Sequence, residues 1–157
     1  MVVFADHLIR AWYGGLGLVA RCPEWVPVLC ARVGIAGIFW RSGRTKVDGW
    51  SVTDQTIFLF REEYRLPLLS AEMAAYMAAW AEHILPVLLV LGLATRVGAL
   101  GLLGMTLIIQ VFVYPNLWPD HATWAAALLL IIMRGPGPVS IDHGLSCYFF
   151  RRIHDEP

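Results

Sequence analysis

Long apolar stretches alternate with short polar ones along most of this chain. The clearest stretch is Glu72–Leu93, EMAAYMAAWAEHILPVLLVLGL, and three others cover about residues 23–40, 97–114 and 121–133. An apolar helix of about 20 residues spans the hydrocarbon core of a bilayer. The pattern therefore predicts four transmembrane helices, and the last is short enough to depend on interfacial residues at its ends.

The connections between these stretches are short, except for the first one. Short connections favour antiparallel neighbours, so we expect an all-α fold, a four-helix antiparallel bundle over residues 23–145. Within the first connection, residues 55–66 predict a short amphipathic helix on the surface. Residues 1–22 predict an amphipathic segment at the membrane interface, and residues 146–157 a polar tail. We expect all 157 residues to form a single membrane domain.

The composition agrees with a membrane location and excludes some other classes. Hydrophobic residues make up 58% of the chain and charged residues only 15%, whereas soluble domains carry about 25% charged residues. The 12 basic residues balance the 12 acidic ones, so there is no basic excess for nucleic-acid binding. The cysteines form no CxxC pair, which argues against a dithiol redox site or a zinc site.

Basic residues in the connections give a narrow preference for orientation. The amino end, the second connection and the tail share one side, with Arg10, Arg21, Arg96, Arg134, Arg151 and Arg152. The opposite side has five basic residues, all in the first connection: Arg41, Arg44, Lys46, Arg61 and Arg65. Because basic residues favour the cytoplasm, both termini are predicted to be cytoplasmic.

Two ionisable residues, Arg32 and Glu82, lie within the predicted spans. A charged side chain at the centre of such a helix costs about 2.5–3.5 kcal/mol, so it usually pairs, faces a cavity or has a function. Adjacent antiparallel helices would bring these two residues to similar depth, and we expect a buried Arg32–Glu82 pair. Either the pair only locks two helices together, or Glu82 accepts a proton or holds a ligand. Alanines at helical spacing from Glu82 predict a close-packing face toward a neighbouring helix.

Other candidate binding residues gather at one end of the predicted bundle or next to Glu82. They are Arg41, Ser42, Lys46, Tyr76, His83, Tyr114 and His121. Such a mixture could hold a quinone head, a lipid head or an acidic patch of a partner. Ordinary interfacial basic and aromatic residues would give the same pattern.

Haem and metal sites find little support in the sequence. A bis-histidine haem site needs two histidines at matching depth, and His121 lies at the boundary while His83 lies inside a span. Met73 and Met77 are one helical turn apart, but methionine at this spacing favours packing over copper binding. We expect no metal and no intrinsic cofactor, with quinone as the candidate ligand.

Three motifs, taken in order, resemble a known family. They are RVGIAGIFWRSGRTKVDGW (32–50), AEHILPVLLVLGLATR (81–96) and GPGPVSIDHGL (135–145). Over about Ala31–Leu145 the chain resembles the DoxX family of small four-helix bacterial membrane proteins. The resemblance implies an inner-membrane protein with cytoplasmic termini. Its characteristic positions would be Arg32, Ser42, Gly43, Lys46, Glu82, Arg96, Ser140 and Asp142.

The resemblance also implies a functional context. Family members are linked to quinol oxidation, sulfur-compound oxidation and redox-stress assemblies. The expected function is therefore an integral membrane subunit of a redox-linked assembly that interacts with quinone or quinol, and whether it is an enzyme is left open. The alternatives are a non-enzymatic anchor or adaptor for a partner protein, or a small carrier for a metal or metabolite. The expected partners are the bilayer and a protein partner or redox complex, and a homo-oligomer is compatible with the sequence.

Overall fold

A computed structural model describes residues 22–154, with the backbone alone for residues 150–154. Within this range the helices are α1 (Trp25–Arg44), α2 (Asp54–Leu59), α3 (Ala71–Leu91), α4 (Thr95–Ile108), α5 (Trp118–Arg134) and α6 (Ile141–His154). A two-stranded antiparallel hairpin, β1 (Val47–Asp48) and β2 (Ser51–Val52), follows α1. The amphipathic segment predicted over residues 1–22 lies, apart from its last residue, outside the described residues.

Local sequence signals set the ends of α3. The Ser70 side chain accepts a hydrogen bond from the Met73 amide at 3.3 Å and so caps the first turn. Gly92 ends the helix in the left-handed conformation, with φ of 69°. The helix therefore begins and ends within two residues of the predicted Glu72–Leu93 stretch.

Two helices end in a wider, π-helical turn. Helix α2 continues as π-helix over Phe60–Tyr64, and α4 continues as π-helix over Ile109–Val113. These two segments contact each other. Tyr64 ends the first π segment and Tyr114 directly follows the second, and the two tyrosine rings meet edge to face with centroids 5.7 Å apart.

The four long helices α1, α3, α4 and α5 each pack against two of the others. Helix α1 packs on α3 and α5, and α4 packs on the same two, so α3 and α5 lie on a diagonal. Neighbouring helices run antiparallel. For example, Arg32 on α1 reaches Leu89 on α3, whereas Gly43 further along α1 approaches Glu82. Leu102 of α4 and Leu128 of α5 are fully buried in the shared core.

The first connection packs against the first half of α3. Phe60, in the π-helical turn after α2, is buried against Ala74 and Ala75. The predicted alanine face is therefore buried as expected. Its neighbour, however, is the short helix of the first connection, because α1 ends at the level of Glu82 and leaves this part of α3 uncovered.

One helix boundary in the second half of the chain differs from its prediction. Helix α5 starts at Trp118, three residues before the predicted His121, because Pro119 is compatible with a first helical turn and Asp120 favours it. Helix α6 covers Ile141–His154 and so includes most of the residues of the predicted tail, 146–157. The Ser140 side chain starts α6 by accepting a hydrogen bond from the His143 amide at 3.1 Å.

Two helical segments of the described chain are long and apolar enough to cross a membrane. They are Ala71–Leu91, with 21 residues, and Thr95–Val113, with 19 residues. Both belong to the set of four helices that share the core.

Candidate functional site

Polar side chains inside the protein form two separate groups, and the first surrounds Arg32. The residue is 1% exposed, and its guanidinium donates hydrogen bonds of 2.7–3.0 Å to four backbone carbonyls. These carbonyls belong to Leu89 and Val90 at the end of α3, and to Pro136 and Val139 in the segment before α6. Arg32 therefore ties α1 to two distant parts of the backbone.

Asp142 holds the same region together from the other side. Its carboxylate accepts hydrogen bonds from the Ala94 and Thr95 amides and from the Thr95 hydroxyl, all at 2.8–2.9 Å. It thereby caps the start of α4 although it belongs to α6. Burial alone would raise the pKa of the Asp142 carboxyl, but these hydrogen bonds and the charge of Arg32 outweigh it and hold the pKa below its ordinary value.

Close backbone contacts complete this group. A Cβ on Gly92 would lie 2.4 Å from the Ser140 Cβ and 2.5 Å from an Arg32 nitrogen, so only glycine fits there. Arg96 donates to the Ile132 carbonyl at 3.0 Å. We call Arg32, Gly92, Thr95, Ser140 and Asp142 the Arg32 cluster. Its side-chain donors and acceptors are hydrogen-bonded to one another or to nearby backbone groups, which is the arrangement of a structural lock.

The second group surrounds Glu82, and its partner is not the one that the sequence predicts. Glu82 is 3% exposed and its Oε2 lies 2.8 Å from Nζ of Lys46, which directly precedes the hairpin. Lys46 also donates to the Ser42 hydroxyl at 3.0 Å. The predicted Arg32–Glu82 pair is therefore wrong: Arg32 lies at the level of Leu89, seven residues further along α3, and Lys46 neutralises Glu82 instead.

Helix α1 approaches α3 closely at this point. A Cβ on Gly43 would lie 3.0 Å from the Glu82 Cβ and 3.0 Å from two atoms of the His83 ring. The His83 ring packs edge to face on Trp40 and its Nδ1 lies 2.7 Å from the Ala79 carbonyl. His83 thus supports the helix contact from the outside, while Glu82 points inward.

Glu82 borders a cavity of about 530 Å³ that is lined by residues of all four long helices and the first connection. We call it the Glu82 cavity. Its polar lining residues are Ser42, Lys46, Tyr64, Glu82, Tyr114 and His121. Its remaining lining is mainly apolar and includes Phe39, Phe60, Met105 and Trp124. Its volume and its mainly apolar walls with a few convergent polar groups are typical of small-molecule sites.

His121 lines the same cavity as Glu82, from the helix that is diagonal to α3. The residue is 4% exposed, its ring packs against Trp124, and its Nδ1 lies 2.6 Å from Oε1 of Gln110. The Gln110 amide nitrogen donates to the Pro115 carbonyl at 2.9 Å, so its oxygen is the acceptor for His121. The hydrogen-bond network therefore assigns the proton of the neutral imidazole to Nδ1 and leaves Nε2 as an acceptor.

The Tyr64 and Tyr114 rings lie where the two π-helical segments meet at the cavity wall. Burial, followed by the proximity of Tyr114, raises the pKa of the Tyr64 phenol above its ordinary value. Tyr64 is therefore neutral at physiological pH and can donate or accept a hydrogen bond.

The structure brings together five of the nine sequence candidates: Ser42, Lys46, Glu82, Tyr114 and His121 all line one cavity. The other four lie elsewhere. Arg32 belongs to the Arg32 cluster, Arg41 and Tyr76 are exposed, and His83 lies outside the cavity lining.

Two further residues of the site escaped the sequence interpretation. Gln110 is the lone strongly polar residue of the predicted span 97–114, which is the same kind of signal that singles out Glu82. Tyr64 carries no local signal, because its contact with Tyr114 joins residues 50 positions apart in the sequence. Within the part of the chain that the structure describes, no three His, Cys, Asp or Glu side chains lie close enough together to hold a metal ion.

Comparison with known proteins identifies the family. A sequence model of the DoxX family matches residues 28–115, more than half of the chain. The match includes the first two motifs, 32–50 and 81–96, and stops before 135–145. No curated protein matches the chain, and no solved structure matches it. The matched range contains both Arg32 and Glu82. Because the family model matches more than half of the chain, the chain belongs to the DoxX family, a family of membrane proteins.

Proposed function

We propose that this chain is a bacterial inner-membrane protein whose helices α1, α3, α4 and α5 form a four-helix transmembrane bundle, with both termini in the cytoplasm. Helices α1 and α5 have 20 and 17 residues, or about 30 and 25 Å at 1.5 Å per residue, which is close to the thickness of the hydrocarbon core. Their outer faces expose apolar residues, among them Val33, Trp40, Leu129 and Met133. The charge of Arg32 is buried and hydrogen-bonded, so it does not face lipid.

Labelling in intact cells tests this orientation. Cys147 on α6 is exposed, and Trp50 at the hairpin turn is 99% exposed. Starting from a variant that keeps Cys147 alone, a membrane-impermeant thiol reagent should leave Cys147 unlabelled until the cells are opened. A variant that carries Trp50→Cys alone should react in intact spheroplasts. The reverse pattern would contradict the orientation, and labelling of both from outside would contradict the four spans.

We further propose that the protein is a membrane subunit of a redox-linked assembly and that it binds quinone or quinol in the Glu82 cavity. The observation that carries this proposal is the buried Lys46–Glu82 pair at the wall of an apolar chamber. A quinone head needs hydrogen-bond donors and a quinol head needs acceptors, and an ammonium next to a carboxylate supplies both. The apolar walls suit the ring and the first part of a tail.

A double variant separates a functional pair from a structural one. Removing one partner of a buried ion pair leaves the other uncompensated, whereas removing both charges is often tolerated. Lys46→Gln with Glu82→Gln should therefore fold, yet bind quinol and quinone at least tenfold more weakly. The matched control is the exposed ion pair between Glu24 and Arg134. Glu24→Gln with Arg134→Gln should leave the affinity for quinol and quinone within twofold of wild type. Unchanged binding in Lys46→Gln/Glu82→Gln would mean that the pair only holds helices together.

The first connection is the surface at which we propose that a protein partner docks. It exposes apolar side chains on the same side as the Glu82 cavity: Trp50, Phe58 and Leu68 are 99%, 62% and 92% exposed. If a redox protein co-purifies in stoichiometric amount with wild-type protein in mild detergent, and does not co-purify with Trp50→Ser, this role is supported. Recovery of the same partner with a variant that binds no quinol would favour the anchor or adaptor function instead.

A further inference from the structure

The free nitrogen of His121 distinguishes the two redox forms of a quinone. Nε2 forms no hydrogen bond with the described residues, and none of their fully buried side-chain nitrogens or oxygens lacks a partner. Nε2 therefore keeps some exposed surface although the residue is 96% buried, and His121 lines the Glu82 cavity. Since Gln110 fixes the proton on Nδ1, Nε2 presents a lone pair to any ligand.

A quinol hydroxyl can donate a hydrogen bond to this lone pair, whereas a quinone carbonyl cannot. A quinone carbonyl oxygen at the same place would lie next to Nε2 with no hydrogen between the two atoms, because both are acceptors. Nε2 would then remain a buried acceptor without a hydrogen bond. The Lys46–Glu82 pair, which lines the same cavity, serves both forms, because Lys46 donates and Glu82 accepts. The discrimination between the two forms therefore comes from His121.

The cavity also has an opening toward the outer face of the helices. Where α3 and α4 are in contact, Gly101 packs closely on Leu85. One turn further along α4, a Cβ on Gly104 would meet nothing within 4 Å. Gly104 lines the cavity together with Ala78 and Ala81, and this opening is continuous with the exposed side chains of Met77 (56%) and Ile108 (46%). The residues around it are apolar, as a hydrocarbon tail requires.

We propose that the Glu82 cavity binds a quinol in preference to the corresponding quinone, that a hydroxyl of its head donates to Nε2 of His121, and that its tail leaves between α3 and α4 past Gly104. This inference rests on the quinone-linked function proposed above and deepens it. His121 is then the residue that selects the redox form, and the opening between α3 and α4 admits the ligand directly from the membrane.

Binding to the full chain in nanodiscs tests the head contact. Native mass spectrometry, under anaerobic conditions, gives the bound fraction at increasing mole fractions of a long-tailed benzoquinol, its quinone and its dimethyl ether. The wild-type protein should bind the quinol about 3- to 10-fold more tightly than the other two, the range for one hydrogen bond. In His121→Phe this preference should fall to within twofold, with quinone binding unchanged. The dimethyl ether tests the same contact in wild-type protein, whether or not the variant folds.

A second pair of variants tests the opening. Gly104→Leu fills the gap, and it should weaken binding of the long-tailed quinol at least tenfold but that of a tail-less quinol by less than threefold. Gly34→Leu is the matched control, because Gly34 on α1 also has open space around it and does not line the cavity. It should change neither affinity by more than twofold.

The outcomes separate the two proposals. Equal affinity of wild-type protein for the quinol, quinone and ether overturns the role of His121 and leaves quinone binding itself standing. Equal effects of Gly104→Leu and Gly34→Leu overturn the lateral opening. If the wild-type protein binds none of the three ligands, the quinone-linked function fails, and this inference fails with it.

Discussion

Arg32 offers the sharpest test of the division between a structural cluster and a ligand site. In Arg32→Met the four carbonyls lose their donor. Leu89 keeps a second partner, since its carbonyl also accepts from the Gly92 amide at 3.2 Å. The carbonyls of Val90, Pro136 and Val139 lose the hydrogen bond from Arg32. At about 1 kcal/mol for each lost hydrogen bond, the variant should lose about 3 kcal/mol of stability. For a chain of this size, that corresponds to a fall in Tm of about 6–12 °C.

Thermal unfolding in mild detergent, followed by size-exclusion chromatography, measures this loss. Arg44→Met is the matched control, because Arg44 lies on the same helix and is exposed. It should change the stability by less than about 0.5 kcal/mol. Arg32→Lys should fall between wild type and Arg32→Met, since one ammonium cannot reach all four carbonyls. If Arg32→Met has the same Tm as Arg44→Met but loses quinol binding, Arg32 belongs to the ligand site, and the division between a structural cluster and a ligand site is wrong.

Three further variants extend the test. Gly43→Ala should lower stability by about 1–3 kcal/mol, measured by the same melting assay, because the added methyl group meets the Glu82 Cβ at 3.0 Å; an unchanged Tm would show that α1 can move away freely. Gly92→Ala should cost more than Gly43→Ala, because it combines a 2.4 Å contact with a φ of 69°; the reverse order in Tm would contradict the packing around Arg32. The lowered pKa of Asp142 gives stability that is complete above about pH 3.9, the ordinary value for Asp, and is lost as the pH falls through the lower folded value. Asp142→Asn should therefore be less stable than wild type at neutral pH, and its Tm should fall less than that of wild type when the pH is lowered. If the Tm of the two proteins fell by the same amount on acidification, this prediction would be contradicted.

The sequence predicts the helices well because their signals are local. Hydropathy and length locate the four apolar helices to within a few residues, and a serine cap and a left-handed glycine mark the ends of α3. The start of α6 also has a local signal, Ser140 followed by Asp142 in the first turn.

The pairing of charges could not be predicted because it depends on the relative depth of the helices. Arg32 and Glu82 look equivalent when each is measured from the ends of its own apolar run. In the structure α1 extends to Arg44, which brings the end of α1, and not its middle, to Glu82. Lys46 then reaches Glu82 from just beyond α1. The contact of Gln110 with His121 depends in the same way on how closely the turn between α4 and α5 folds back.

Native mass spectrometry of the protein extracted from its own membrane tests the central claim most directly, namely that the Glu82 cavity is a ligand site. The account predicts one quinol or quinone molecule per wild-type chain, and none in Lys46→Gln/Glu82→Gln protein that melts within a few degrees of wild type. A wild-type protein that carries no such ligand, or a double variant that keeps it, would contradict the account.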